Sequence, residues 1–367
     1  MKSFFYFLTI PFMVLFLSTS CTKEGPEGPA GEDGVDGIDG LSGTTGCVQC
    51  HVENEDMKIK SYEWAESKHV NGGHMTGYYA SRTGCTDCHS SQGFQHVIST
   101  GEWDMITPEK PLPANCYTCH KIHETYTAAD WSLRKNSAVS LLANDLETDQ
   151  GTSNTCVQCH QSRKAEPLID LNGTTKVSIT TFRFGPHHGP QGNMMAGTGN
   201  TGAYEIQGSM NYKDSKHVTD ANSSCVSCHM ASGEGSGGNI ALGGHSNNVA
   251  TGSWEDDSRV VNVNGCLDCH TETDNSSITA LVKASRESNQ VIINELRQKL
   301  FDMGYIDDHD YVIANGERAS SDNPLEISPL HAAAVYNFKF ITEDKSMLIH
   351  NPMYAKALVQ NSLEALN

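Results

Sequence analysis

Cys225-Val-Ser-Cys228-His229 is the stretch on which the reading of this chain turns. The pattern C-x-x-C-H returns as Cys47-Val-Gln-Cys50-His51, Cys85-Thr-Asp-Cys88-His89 and Cys116-Tyr-Thr-Cys119-His120. It returns again as Cys156-Val-Gln-Cys159-His160 and Cys266-Leu-Asp-Cys269-His270, so that six copies use 12 of the 13 cysteines. The spacing has a chemical reason. Cysteines three positions apart on one helical turn each reach a vinyl group of the same porphyrin and form a thioether. The His one residue on then faces the iron from that side. C-x-x-C-H is the attachment signature of c-type haem. Disulfides would use the same cysteines in an exported protein but give no reason for a His after every second Cys. Zinc ribbons pair C-x-x-C knuckles without that fixed His, and a thioredoxin-like motif occurs once per domain. Six covalent haems c are therefore expected.

Composition agrees with a cofactor-built interior. Of 367 residues, 37% are hydrophobic and 7% aromatic, below the usual globular share. Burial is expected to come largely from the porphyrins, which are themselves large apolar bodies. Charge is strongly acidic, with 25 Lys and Arg against 44 Asp and Glu for a net −19. That excludes non-specific nucleic-acid binding, which needs a basic face. It points instead to redox partner proteins with basic docking patches. Oligomerisation is left open.

The thirteenth cysteine belongs to the N-terminus. Lys2 precedes an apolar run, Phe4 to Leu17, of 14 residues. That is too short to span a bilayer and right for the core of a signal peptide. Ser18-Thr19-Ser20 before Cys21 resembles the lipobox of bacterial lipoproteins, with Leu17 one position early. Residues 1–20 are then a lipoprotein signal peptide, and Cys21 is the lipidated anchor to a membrane. The expected location is the cell envelope, at the outer membrane on its periplasmic or cell-surface face. Residues 21–46 follow as a tether. From Gly25 to Gly46 every third residue is Gly, a collagen-like pattern with Pro26 and Pro29 as its only prolines. Its acidic residues repel one another and favour extension. At ~3.1 Å per residue the segment reaches roughly 75 Å.

Each iron also needs a distal ligand. With six of the 17 His proximal, 11 remain, enough for two His at every iron. Ser67-Lys68-His69 and Ser215-Lys216-His217 stand in matching contexts ahead of Cys85 and Cys225. His245 follows Gly243-Gly244 ahead of Cys266. His350 precedes Asn351-Pro352, an N-cap and first-turn pair that would hold it at a rigid helix start. His123 and His188 complete the main candidates, with His187, His331 and His96 as weaker ones. His309, within Asp307-Asp308-His309-Asp310, reads as a solvated loop residue, and His74 is undecided. No catalytic residue is assigned.

From about Cys156 to Leu366 the chain resembles the multihaem c-type cytochromes related to ammonia-forming cytochrome c nitrite reductase. The residues that carry the likeness are Ser215-Lys216-His217, Cys225 to Met230, Cys266 to His270, Asp344-Lys345-Ser346 and His350-Asn351-Pro352. The resemblance implies that His217, His245 and His350 are distal haem ligands. Gly185-Pro186-His187-His188-Gly189-Pro190-Gln191 is similar to a stretch of many multihaem cytochromes. The first half resembles the group through its haem motifs alone. The reductases carry a catalytic C-x-x-C-K and a Tyr just after one motif. None of the motifs here has that Lys, and Gln161-Ser162-Arg163 follows His160.

The expected fold is mainly α with extensive coil, a hexahaem cytochrome c domain over 47–367 with long C-terminal helices over 276–367. Ile278, Leu281, Val282, Ile292, Ile293, Leu296 and Leu300 fall at helical spacing, with Ser277 as N-cap and Gly304 as C-cap. Further helices are expected over Pro329–Thr342 and Pro352–Leu366, and a hairpin at Val177–Phe184 after Asn172-Gly173. The function expected is electron transfer. The alternatives are a reductase of a small nitrogen or sulfur oxyanion, and a protomer of an extracellular haem filament.

Overall fold

The five described C-x-x-C-H motifs each form one tight turn in the computed structural model, which describes residues 55–367 apart from 76, 105, 234–238, 256–257 and 272–273. In four of them the His backbone N–H donates to the carbonyl of the first Cys, at 3.0 Å in His89 and 2.9 Å in His120, His160 and His270. Local sequence starts two of these turns. Asn115 and Thr118 form a reciprocal cap at Cys116–Cys119, and Ser224 and Ser227 form one at Cys225–His229. Cys21, Cys47, Cys50 and His51, with the signal peptide and tether, lie outside the described residues.

Five helices of ten residues or more stand among these turns in the described residues. They are α1 (Glu55–Ala65), α2 (Ser91–Thr100), α3 (Asn275–Asp302), α4 (Pro329–Glu343) and α5 (Pro352–Ala365). The described chain before α3 is otherwise single turns, loops and strands of two or three residues. Gly93 lets α2 lie against the motif turn before it, because a Cβ there would collide with the Thr86 carbonyl.

The C-terminal helices follow the sequence closely, with three corrections. The N-cap of α3 is Asp274, whose carboxylate accepts from the Ser277 N–H at 2.8 Å. Gly304 follows the last turn with φ 69°, a left-handed position that suits its missing Cβ. On α3, Ile278, Ile293, Leu296 and Leu300 are buried while Leu281 is exposed. Asn351 occupies the cap position of α5, but its side chain makes no cap bond. It accepts instead from the Ser215 N–H and donates to Asp214, at 2.9 and 2.8 Å.

Helix α4 is apolar around most of its circumference, and it sits at the centre of the main core. Its Tyr336, Phe338 and Phe340 are fully buried among Phe184, Leu296, Leu300, Tyr354 and Leu358. Asn337 enters this core with its bonds met. It exchanges both amide hydrogen bonds with the Tyr204 backbone, at 3.0 and 2.8 Å. The expected hairpin at Val177–Phe184 does not form. Val177–Ile179 (β1) pairs antiparallel with Leu325–Ile327 (β2), far away in sequence, because both strands bury residues against α4 and its neighbours. The cluster gathers residues between Ala165 and Leu366, whereas a second holds only Val139, Leu141 and Val157 with Ala196 against it. Side chains thus supply more of the C-terminal burial than composition implies, and little of the burial before it.

Candidate functional site

Five motif histidines each face a second His. The ring centres of His74 and His89 lie 6.3 Å apart, those of His69 and His160 5.9 Å, and those of His120 and His245 6.4 Å. His229 and His350 stand at 6.3 Å, and His217 and His270 at 6.4 Å. An imidazole nitrogen binds a transition metal at about 2 Å. Two imidazoles on opposite sides of one metal therefore hold their ring centres roughly 6 Å apart, with free choice of interplanar angle. Direct stacking or edge contact of two uncharged rings also falls in this range. The recurrence with a motif His in all five pairs is what singles the arrangement out.

The outer nitrogens say which atom is left for a metal. His120 Nδ1 donates to the Trp131 carbonyl at 2.6 Å, His217 Nδ1 to the Ile349 carbonyl at 2.6 Å, and His229 Nδ1 to the Asn247 carbonyl at 3.0 Å. A carbonyl only accepts, so these rings carry their proton on Nδ1 and keep the Nε2 lone pair free. His160 Nδ1 meets Gln191 Oε1 at 3.1 Å, and His69 Nδ1 meets Ser67 Oγ at 3.1 Å. His350 Nδ1 meets the buried Asp344 carboxylate at 2.7 Å. Carboxylate and carbonyl partners of this kind fix ring orientation and raise ligand basicity in metal sites.

Burial disfavours the charged form of five of these rings. Burial first, then the nearby rings of His160 and His229, pushes the His69 pKa down to about 4. Burial likewise lowers His89, His160, His229 and His245. His350 departs from this pattern. Burial opposes its charge, but Asp344 outweighs burial and raises the pKa.

In two of the pairs a side chain holds the backbone of the second ring. Ser67 caps the Lys68–Asn71 turn by accepting from the His69 N–H. Glu63 on α1 accepts from the His245 N–H at 2.9 Å, and its carboxylate lies 3.7 Å from His245 Nδ1. The described cysteines are all free thiols. Neighbouring motifs touch. Cys88 lies within hydrogen-bond reach of Cys159, and Cys156 within reach of Cys225. Thr118 Oγ1 donates to Ser91 Oγ at 2.8 Å, and Cys228 Sγ lies 3.7 Å from the Gly265 carbonyl.

The remaining candidates sit elsewhere. His188 faces Glu343 at 3.0 Å with a side chain 71% exposed, not a motif His. His187 lies beside it, ring centres 4.9 Å apart, in a left-handed backbone with φ 71°. His123 Nδ1 meets the Tyr117 hydroxyl at 2.8 Å, and Tyr126 stacks on its ring. His331 meets the Tyr305 hydroxyl at 2.7 Å. His96 keeps a buried Nε2 without a hydrogen-bond partner. His309 is exposed beside Asp308, as its acidic loop implies. The residue that sequence reasoning left undecided, His74, is the one opposite His89.

Comparison with known proteins gives little beyond this. No protein-family profile matches the chain, and no curated protein matches it. Among solved structures it is similar to "Crystal Structure of Outer Cell Wall Cytochrome OcwA", with TM-score 0.49 and 17% identity over 84% of this chain. The match takes in 50% of that structure, so the chain spans about half its length.

Proposed function

We propose that the chain is an exported electron-transfer protein that carries a covalent c-type haem at each of its six C-x-x-C-H motifs. The observation that carries the reading is the set of five His pairs, each spaced as two axial ligands of one metal would be and each containing a motif His. The residues fit the group. Free thiol pairs lie on the turn next to each described motif His, and three Nδ1–H donors to carbonyls leave Nε2 as the metal-facing atom.

Haem iron supplies the one-electron couple. The chain's part is to hold and tune it. His69, His74, His217, His245 and His350 would hold the iron together with the motif histidines His160, His89, His270, His120 and His229. Asp344 and the backbone carbonyls keep the proton on the outer nitrogen of their rings. For the motif of His51, His123 is the favoured partner, since Tyr117 takes its Nδ1 and Asp130 accepts from its backbone N–H at 2.8 Å. Motif turns in contact keep successive redox groups close. The acidic surface suits a partner with basic patches, and Cys21 is the proposed lipid anchor at the outer membrane.

Mass spectrometry of the denatured mature protein tests the count, with six haem additions expected. The spin state of the ferric protein tests the ligation, with all irons low-spin expected. A high-spin iron that binds nitrite or hydroxylamine would overturn the carrier reading in favour of a reductase.

A further inference from the structure

A cavity of about 350 Å³ opens against one side of α3, lined by Trp254, Lys283, Arg286, Glu287 and four further side chains. Trp254 sits in the loop between the paired strands Ala250–Thr251 and Val260–Val261. Its ring packs, with Val282, on a small cluster of Val261, Val263 and Ile278. Cys266, the first cysteine of the last C-x-x-C-H motif, packs on the same cluster.

Cations converge on this place in a chain of net charge −19. The Arg259 guanidinium lies 5.8 Å from the Trp254 ring centre, and the Lys283 ammonium 6.0 Å from it. Arg259 spends one N–H on the Gly252 carbonyl at 2.7 Å. Its Nε and the indole Nε1 of Trp254 are both buried without a hydrogen-bond partner. Indole and guanidinium groups can only donate. A buried donor left unpaired is costly, the more so when it is charged. Arg286 stands close enough to Arg259 for its pKa to be lowered, first by burial and then by that neighbour. Two guanidiniums and an indole N–H that share partly dry space call for an acceptor of negative charge. Of the nearby acids, Glu287 lines the same cavity but is exposed, as is Glu255 on the loop, and Asp256 and Asp257 lie outside the described residues.

We infer that Trp254, Arg259 and Arg286 form a carboxylate-binding site on the side-chain cluster against which Cys266 also packs. The planar guanidinium fork matches a carboxylate better than any other common anion except phosphate. The carboxylate has two sources. One is a propionate of the haem held at Cys266 and Cys269, which rests on the haem reading above. The other is a free carboxylate that enters from solvent.

The full-length holoprotein separates them through Arg286→Gln, Arg259→Gln and Trp254→Phe, the last keeping an aromatic face while losing the N–H and the five-membered ring that carries it. With a propionate in the site, the midpoint potential of one haem falls in both Arg variants and less in Trp254→Phe. Removing a cation or donor disfavours the added electron, while mass still shows every haem attached. With a free carboxylate, Trp254→Phe leaves the potentials as in the wild type, since no propionate loses a donor, and only the lost charge of the Arg variants is felt. Titration calorimetry with succinate then detects binding that Arg286→Gln weakens about tenfold, the loss of one charge-assisted hydrogen bond. Arg286→Lys restores part of either effect by keeping the charge. Unchanged potentials in Trp254→Phe together with no succinate binding in the wild type would overturn the site. Absence of haem at Cys266 and Cys269 by mass would instead overturn the haem reading there and leave the succinate result to decide the site alone.

Discussion

His217 donates its Nδ1 proton to the carbonyl of Ile349 at 2.6 Å, one residue before His350. The bond ties together two of the His pairs. The ring that faces His270 is oriented by the backbone that carries the ring facing His229. Asn351 strengthens the tie from the other side, accepting from the N–H of Ser215 two residues before His217. The Ser215-Lys216-His217 turn and the start of α5 are thus one unit.

His217→Ala removes one ring of the His217–His270 pair and leaves Cys266 and Cys269 in place. The expected result is one new high-spin signal in the ferric protein, with six haems still attached by mass. Because the bond to Ile349 is to backbone, the His229–His350 pair should remain low-spin. A second high-spin iron would show that the two pairs depend on each other more than the geometry implies.

Asp344→Asn tests the ring that alone keeps a carboxylate partner on Nδ1 at bonding distance within a pair. An ionised Asp344 makes His350 more electron-rich and favours the oxidised metal. The neutral amide should raise the midpoint potential of one haem, with low-spin spectra preserved. A potentiometric titration reads the shift, and a titration that superimposes on the wild type would remove Asp344 from any tuning role.

Glu63→Ala acts at a distance from every motif. The carboxylate clamps the Gly244-His245 backbone onto α1, and no other side chain is seen to hold that N–H. Losing one charge-assisted hydrogen bond costs about 1.5–3 kcal/mol locally. A minor high-spin fraction at one haem is expected, growing on heating. Glu63→Gln, which can still accept, should behave like the wild type.

Much of this arrangement is legible in the sequence, for stated reasons. The motif turns are local, and four close on a bond between His and the first Cys four residues back. The two Ser-Lys-His turns are local too, and the Pro329 and Pro352 helices announce themselves through proline in the first turn. What escaped depends on distant partners. β1 finds β2 because α4 lies between their flanks, and no spacing near Val177 encodes Leu325. Asn351 looks like a cap but is claimed by Ser215 and Asp214. The core around Tyr336 and Phe338 is diluted in the overall composition by the loop-rich chain before it.

The His188–Glu343 pair gives a pH-dependent prediction of definite sign. Burial alone would raise the Glu343 pKa, but the bond from His188 and the charges of Lys345, His188 and Lys339 outweigh it and lower it from 4.5. The stability from this shift is fully present above the unfolded value. It is lost as pH falls through the lowered folded value. His188→Ala should therefore cost about 0.5–1 kcal/mol near neutral pH, discounted for the exposed imidazole. The difference should vanish in acid. Denaturant unfolding of the holoprotein at pH 7 and near pH 3 reads both ends, and a larger gap in acid would contradict the assignment.

His74 offers the sharpest separation between sequence and structure. Its surroundings, Gly72-Gly73-His74, give no signal of a ligand, whereas His187 and His188 sit in a stretch similar to one in many multihaem cytochromes. The structure nevertheless sets His74 opposite His89, with Tyr79 beside both rings at 5.0 and 5.8 Å. It turns His188 toward Glu343 instead. His74→Ala should then produce one high-spin haem with all haems still attached. His187→Ala and His188→Ala should leave every iron low-spin. The readout is the ferric visible and electron paramagnetic resonance spectrum of each variant at one pH. A high-spin signal from His188→Ala with none from His74→Ala would reverse the assignment and place the exposed imidazole at the metal. Tyr79→Phe supplies the control. It keeps the ring packed against His74 and His89, so its spectrum should match the wild type if the two histidines, rather than the phenol, hold the site.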